Sequence, residues 1–110
     1  MYKNLNAGLL VLACATVVQG CSWVDLETNA EDVLVLKPHQ TKQCEEMRKT
    51  TSQVVDKVWF VDRNPEKVAK ELATLARNTA AELGGNAIVA ESEVENGRQT
   101  FIILNCEHLR

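Results

Sequence analysis

Histidine is scarce in this sequence: His39 and His108 are the two it has, one beside Pro38 and the other near the C-terminus. Each stands alone, which leaves little material for imidazole catalysis or for a histidine-rich metal site. Gly-x-Ser-x-Gly, a phosphate-binding glycine loop and His-Glu-x-x-His are all missing. The local signatures of serine hydrolases, nucleotide-binding proteins and zinc peptidases are therefore absent. Ser22, Ser52 and Ser92 have no base partner visible in the sequence. The four cysteines include no Cys-x-x-Cys pair, the spacing of redox-active dithiols. Basic residues number 12 against 15 acidic ones, so the basic face that nucleic acid or anionic headgroups require is lacking. There are no internal repeats and no low-complexity segment. These absences point to a protein that is not an enzyme, has no catalytic residue, binds no nucleic acid and carries no cofactor.

What the sequence does have begins at its N-terminus. Lys3 is followed by an apolar run from Ala7 to Val18, and a small residue, Gly20, precedes Cys21. The run is about twelve residues long, too short for a spanning helix of about 20. A positive start, an apolar centre and a small residue at the end make a secretory signal, here residues 1–20. The competing reading, a buried core helix, has to explain a charge-free run that ends in Gly20-Cys21. Removal of residues 1–20 takes away Lys3 and no acid. The mature chain then has 11 basic and 15 acidic residues, net −4, as suits a domain facing the periplasm.

Val18-Gln19-Gly20-Cys21 resembles the bacterial lipobox, in which an aliphatic and a small residue precede a cysteine. The resemblance implies that Cys21 takes a diacylglycerol as a thioether, becomes the first residue after cleavage, and carries fatty acyl chains such as palmitate. Each buried methylene adds about 0.8 kcal/mol, and two or more chains anchor stably where one is marginal. Ser22 follows the cysteine. By the sorting rule of enterobacteria, a residue other than Asp there implies delivery to the outer membrane.

Of the four cysteines, Cys14 lies in the signal and Cys21 is used by the lipid, which leaves Cys44 and Cys106 in a compartment that permits disulfides. A Cys44–Cys106 bridge is the natural reading. Two others stand beside it: free or redox-active thiols, and a zinc site that would need His39 and His108 at spacings matching no standard motif.

Residues 21–32 read as a lipidated N-terminus and tether, polar and acidic except for Trp23, Val24 and Leu26. Trp23 either suits the membrane interface or packs on the domain. Residues 33–110 read as one α+β domain, a small mainly antiparallel sheet of three to four strands against one α-helix. Val33–Leu36 is a first strand, and a second extended segment runs from Cys44 toward Val55 with poor alternation. Val58-Trp59-Phe60-Val61 is either a strand end or a loop that plugs the core. Asn64 is placed to cap a helix that starts at Pro65 and ends at Gly84-Gly85. Val68, Leu72, Leu75, Ala76, Thr79 and Leu83 form its apolar face. A strand from Ala87 to Val94 returns through Asn96-Gly97, a strong hairpin signal, as a strand from Arg98 to Cys106. A two-residue turn pairs Glu95 with Arg98, Glu93 with Thr100 and Glu91 with Ile102. It puts Ile88, Ala90, Val94, Phe101 and Ile103 under the helix and Cys106 on the opposite face with Val89 and Leu104. Cys44 must then reach that face, or a bulge must shift the strand end.

Cys44, the segment from Leu75 to Val89 and a hairpin ending at Cys106 together resemble domain-of-unknown-function family 4156, a group of short proteobacterial lipoproteins. The most specific part is Arg77-Asn78 through Leu83-Gly84-Gly85-Asn86-Ala87. The family is similar in turn to the outer-membrane lipoprotein that senses envelope stress for the Rcs phosphorelay, though this chain lacks that protein's long proline-rich linker and its additional cysteines. The resemblance implies a small sheet packed on one helix with the paired cysteines bridged, and no activity. Asn86 follows two glycines at a tight turn and is expected to hydrogen-bond nearby backbone.

Two functional expectations follow. The first is an outer-membrane-anchored periplasmic lipoprotein, a non-catalytic envelope interaction or stress-sensing module that contacts an envelope protein or peptidoglycan through Trp59, Phe60 and Trp23. The second is a small ligand- or metal-binding lipoprotein that uses the acidic strand face of Glu91, Glu93 and Glu95, with His39 close by.

Overall fold

A computed structural model describes residues 24–110. The element order is β1 (Leu34–Leu36), β2 (Glu45–Gln53), β3 (Lys57–Val58), β4 (Val61–Asp62), α1 (Pro65–Glu82), β5 (Ala87–Ala90) and β6 (Arg98–Asn105). Four strands form one sheet in the order β1-β5-β6-β2, and β3 and β4 form a separate two-stranded hairpin. The β5–β6 and β6–β2 pairings are antiparallel, and β1 lies parallel to β5. This is the expected α+β architecture, a helix on one face of a small mixed sheet.

The helix begins as its sequence dictates. The Asn64 side chain accepts hydrogen bonds from the amides of Glu66 (2.8 Å) and Lys67 (3.2 Å), and Pro65 occupies the first turn, where no N–H is needed. The end is a double glycine closure. The Gly85 amide donates to the Ala80 carbonyl and the Gly84 amide to that of Ala81, with Gly84 at φ 83°. Gly85 serves a second purpose. A Cβ there would stand 2.7 Å from the Ile103 Cγ2 and 3.0 Å from the Leu104 carbonyl, so this glycine lets the helix end sit directly on β6.

Val68, Leu72, Ala76 and Ala80 recur every fourth residue and are buried against Ile88, Phe101 and Ile103. The buried stripe therefore closes on Ala80. Leu75 and Thr79 are half-buried at its margin, and Leu83, expected in it, is 38 % exposed. The opposite sheet face has its own core of Leu36, Ala87, Val89, Leu104 and Cys106, with Cys44 packed against it.

Cys44 and Cys106 are joined by a disulfide. What brings them to one face is a bulge in β2. Arg48 pairs with Ile103, but Glu46 pairs with Leu104, so Met47 has no partner in β6. Beyond the bulge, Thr50 and Ser52 lie on the helix side with their partner Phe101 and its neighbours. Because side chains alternate with period two, an unbroken ladder would turn Cys44 to that same side, away from Cys106. The one extra residue reverses the parity. Deletion of Met47 should therefore leave two alkylatable thiols in the unfolded protein, where the natural chain yields none at these positions. A bridge that still forms quantitatively would show that the bulge is dispensable.

The β5–β6 hairpin differs from the ideal register. Asn96 and Gly97 both adopt positive φ (54° and 72°) and Glu95 does pair with Arg98, as a two-residue turn requires. In the ladder proper, however, Ala90 opposes Phe101 and Val89 opposes Ile102. Two residues more than the ideal hairpin needs are taken up between Glu91 and Val94, which leave the ladder, and β5 ends at Ala90 rather than Val94. The slip is even, so it preserves faces within the ladder: Ile88, Phe101 and Ile103 still meet the helix, and Cys106 still lies with Val89 and Leu104. Ala90 and Val94, expected under the helix as well, are exposed, because the ladder stops at Ala90.

The acidic stretch expected as a tether is docked from Asp25 onward. The Glu27 amide donates to the Asn78 Oδ1 (2.9 Å), and the Asn78 Nδ2 donates to the Asp25 carbonyl (3.0 Å). Arg77 donates to the carbonyls of Val33 (2.8 Å) and Glu31 (3.1 Å). Ala30 and Val33 are buried in the helix-side core and Leu26 packs on it. Asp25 to Val33 is thus a strap packed on α1. It is held through its backbone and the side chains of Leu26, Ala30 and Val33, which explains how so polar a sequence docks.

Candidate functional site

The β3–β4 hairpin is a two-residue connection with Trp59 and Phe60 at its tip. Lys57 pairs with Asp62 and Val58 with Val61. The tip is neither a plug in the core nor part of the main sheet. Trp59 is 88 % and Phe60 97 % exposed, and Val58 and Val61 beside them are exposed as well. A short turn forces both rings outward, since among the described residues no sheet or helix lies over it. Trp59 has φ 62°, at a turn position that glycine fills most easily. Holding a bulky side chain there costs on the order of 1–3 kcal/mol. The ring contributes little to the core in return, so folding alone does not account for an aromatic residue at this site.

The base of the hairpin is held firmly. The Arg63 amide donates to the Asp56 carbonyl (2.8 Å), and its Nη1 donates to the Val55 carbonyl (2.8 Å). The guanidinium also grips Glu71 on α1 with two bonds, Nη1–Oε1 at 3.0 Å and Nη2–Oε2 at 2.8 Å. Both side chains are largely shielded from solvent, at 11 % and 15 % exposure, where a bidentate pair is stronger than on the surface. The hydrogen bond to Glu71 raises the Arg63 pKa further above its ordinary range. An exposed ion pair, Lys57 to Asp62 at 3.9 Å, adds little. Nothing in the sequence marks Arg63 and Glu71 as partners. Their separation of eight residues across a helix start has no sequence signature.

The other candidate groups do not converge. Glu91, Glu93 and Glu95 share no strand face, because residues 91–94 leave the ladder. Glu91 instead pairs with Lys49 at 2.7 Å, a hydrogen bond that raises the lysine's pKa. His39 and His108 sit in exposed turns at Pro38–Gln40 and Glu107–Leu109. Among the described residues, no group of three or more His, Cys, Asp or Glu side chains is placed to hold a metal. Ser52 is buried, and the Ser92 hydroxyl accepts from the Thr100 amide (2.9 Å) and donates to the Glu93 carbonyl (3.2 Å). Cys21 and Trp23 lie outside the described residues.

The segment from Arg77 to Ala87 is used for architecture throughout. Arg77 and Asn78 hold the strap, Ala80 closes the buried stripe, and Gly84-Gly85 ends the helix against β6. Asn86 clamps Cys106: its Nδ2 donates to the Cys106 carbonyl (2.9 Å), and the Cys106 amide donates to its Oδ1 (2.7 Å). The Asn86 side chain thus bonds the backbone of a residue 20 positions away, at the disulfide, and not the nearby backbone expected of it.

The family model for the domain of unknown function DUF4156 matches residues 24–106. No curated protein and no solved structure shows significant similarity to the chain. The match begins at the strap and ends at the bridged Cys106, so it spans nearly the whole described fold, and the chain belongs to the DUF4156 family.

Proposed function

We propose that this member of the DUF4156 family is a lipid-anchored module of the bacterial envelope, held at the periplasmic face of the outer membrane through Cys21 and acting by contact rather than catalysis. The observation that carries the contact reading is the exposed Trp59–Phe60 tip on a hairpin riveted to α1 by Arg63 and Glu71. Contiguous exposed apolar surface marks places where a protein meets something else, and aromatic residues are enriched at such contacts. The location rests on the secretory signal and the lipobox-like Val18-Gln19-Gly20-Cys21. A disulfide between Cys44 and Cys106 suits an oxidising compartment. Candidate partners there are the bilayer itself, an envelope protein or peptidoglycan. Stress sensing, by resemblance to the Rcs sensor, is one form such contact takes. The acidic-strand alternative has lost the shared face on which it depended.

Radiolabelled palmitate tests the anchor. Label should enter the natural chain and be absent from Cys21→Ser, which should also lose membrane attachment. Label in Cys21→Ser would sink the lipoprotein reading. Recovery of the natural chain with the inner membrane would refute the sorting role of Ser22.

A further inference from the structure

We infer that the Trp59–Phe60 tip inserts into the interface of the bilayer that carries the Cys21 anchor, giving the domain a second point of membrane contact. The inference rests on the anchor proposed for Cys21 and names the partner of the exposed tip.

Three observations point to lipid. The first is position. Val24, where the described chain starts, lies beside Lys67, Lys70 and Glu71 of α1. Glu71 is the residue that grips Arg63, directly after β4. The start of the described chain and the residue that roots the hairpin therefore lie together on α1. The strap holds that start in place, because Asp25 and Glu27 are bonded to Asn78 and Val33 to Arg77.

The second is reach. From Cys21 to Val24 is a span of three residues, at most about 11 Å even when fully extended. From Arg63 to Phe60 the hairpin covers about 10 Å. A domain held that closely has its aromatic tip within reach of the headgroups.

The third is chemistry. Tryptophan suits the boundary between headgroups and hydrocarbon, with its ring buried and its N–H still wet. Phe60 and the two valines are apolar. Lys57 and Asp62, one of each sign at the hairpin base, match a zwitterionic headgroup layer and make no demand for anionic lipid. A rigid protruding tip is also better shaped to enter a fluid interface than to match a partner's surface.

The test uses the full-length chain carrying Trp23→Phe, so that Trp59 is the sole tryptophan. The protein is purified from membranes, weighed for diacylglycerol on Cys21, and reconstituted in phosphatidylcholine vesicles with and without lipids brominated on their acyl chains. Insertion predicts that Trp59 emission shifts blue by about 10 nm and loses more than about half its intensity to bromine, as for a ring at interfacial depth. Lipidated protein that floats with the vesicles while Trp59 stays unquenched overturns the inference and leaves the anchor standing; a tip occupied by an envelope protein would behave this way. A mass without lipid removes the anchor reading, and quenching of Trp59 in the same vesicles still decides for or against insertion. Trp59→Gly should melt no lower than the natural chain, because glycine accepts the positive φ. A clear drop in its melting temperature would show that the ring packs within the domain and would also overturn the inference.

Discussion

The double substitution Cys44→Ala/Cys106→Ala should lower the stability of the domain by about 4 kcal/mol, through the entropy of a loop closed over a separation of 62 residues. For a domain of this size that corresponds to a drop of about 15–30 °C in melting temperature. The effect is large because little else ties the two ends of the fold together. β2 is an outer strand, and of its nine residues only Ser52 is buried. It contributes hydrogen bonds to β6 but almost no apolar surface. A chain of this length has a modest core, so a covalent link carries a larger share of its stability. Cys106 is fully buried and Cys44 packs against the same cluster, so the link also fills part of the second core. Urea unfolding of the oxidised protein, the reduced protein and the variant measures the difference. A difference of less than about 1 kcal/mol between oxidised protein and variant would be well below the loop-entropy expectation and would show that β2 is held by its ladder alone.

The second large effect is expected at Asn86. Asn86→Ala should cost about 2–4 kcal/mol, because the Cys106 amide loses its acceptor in a buried place and a second hydrogen bond disappears with it. The two halves of the clamp are unequal. The Cys106 carbonyl also accepts from the Leu109 amide (3.0 Å) and keeps that partner. The amide is the group left stranded, and it accounts for most of the loss. Asn86 ties three parts of the fold together, since its own amide donates to Leu104 and its carbonyl accepts from Leu34. The loss should shrink when the same substitution is made in the Cys44→Ala/Cys106→Ala background, because the strand end is then already loosened and residues in contact do not act additively. Equal losses in the two backgrounds would mean that the clamp and the bridge act independently. A loss below about 0.5 kcal/mol would remove Asn86 from the account of stability.

Local signals were legible wherever the physical cause is local. The Asn64-Pro65 start and the Gly84-Gly85 stop lie within one turn of the bonds they make. Asn96-Gly97 sets a turn whose conformation depends on those two residues alone. Sheet faces were legible too, because alternation assigns every side chain once one is fixed, and an even slip in register leaves the assignment intact. The bridge of Cys44 and Cys106 followed from a count of cysteines together with the compartment implied by the N-terminus.

What escaped the sequence was set by partners far away along the chain. The bulge at Met47 exists because Cys44 must meet Cys106, and no residue near Met47 encodes that need. Asp25 to Val33 reads as a polar tether because its docking uses backbone groups, which every sequence has, gripped by Arg77 and Asn78 from α1. Val58-Trp59-Phe60-Val61 is as apolar as a core segment, and hydrophobicity cannot tell a plug from a projecting tip. Only the tertiary structure decides that, by fixing the hairpin's root through Arg63 and Glu71 and leaving none of the described residues above its turn. The sequence by itself therefore determined the helix, the main strands and most of their faces, which depend on short-range or periodic rules, and the pairing of the cysteines, which depends on their number. The tertiary structure alone decided how Asp25 to Val33 docks and where the aromatic tip stands, because both depend on contacts between segments far apart in the chain.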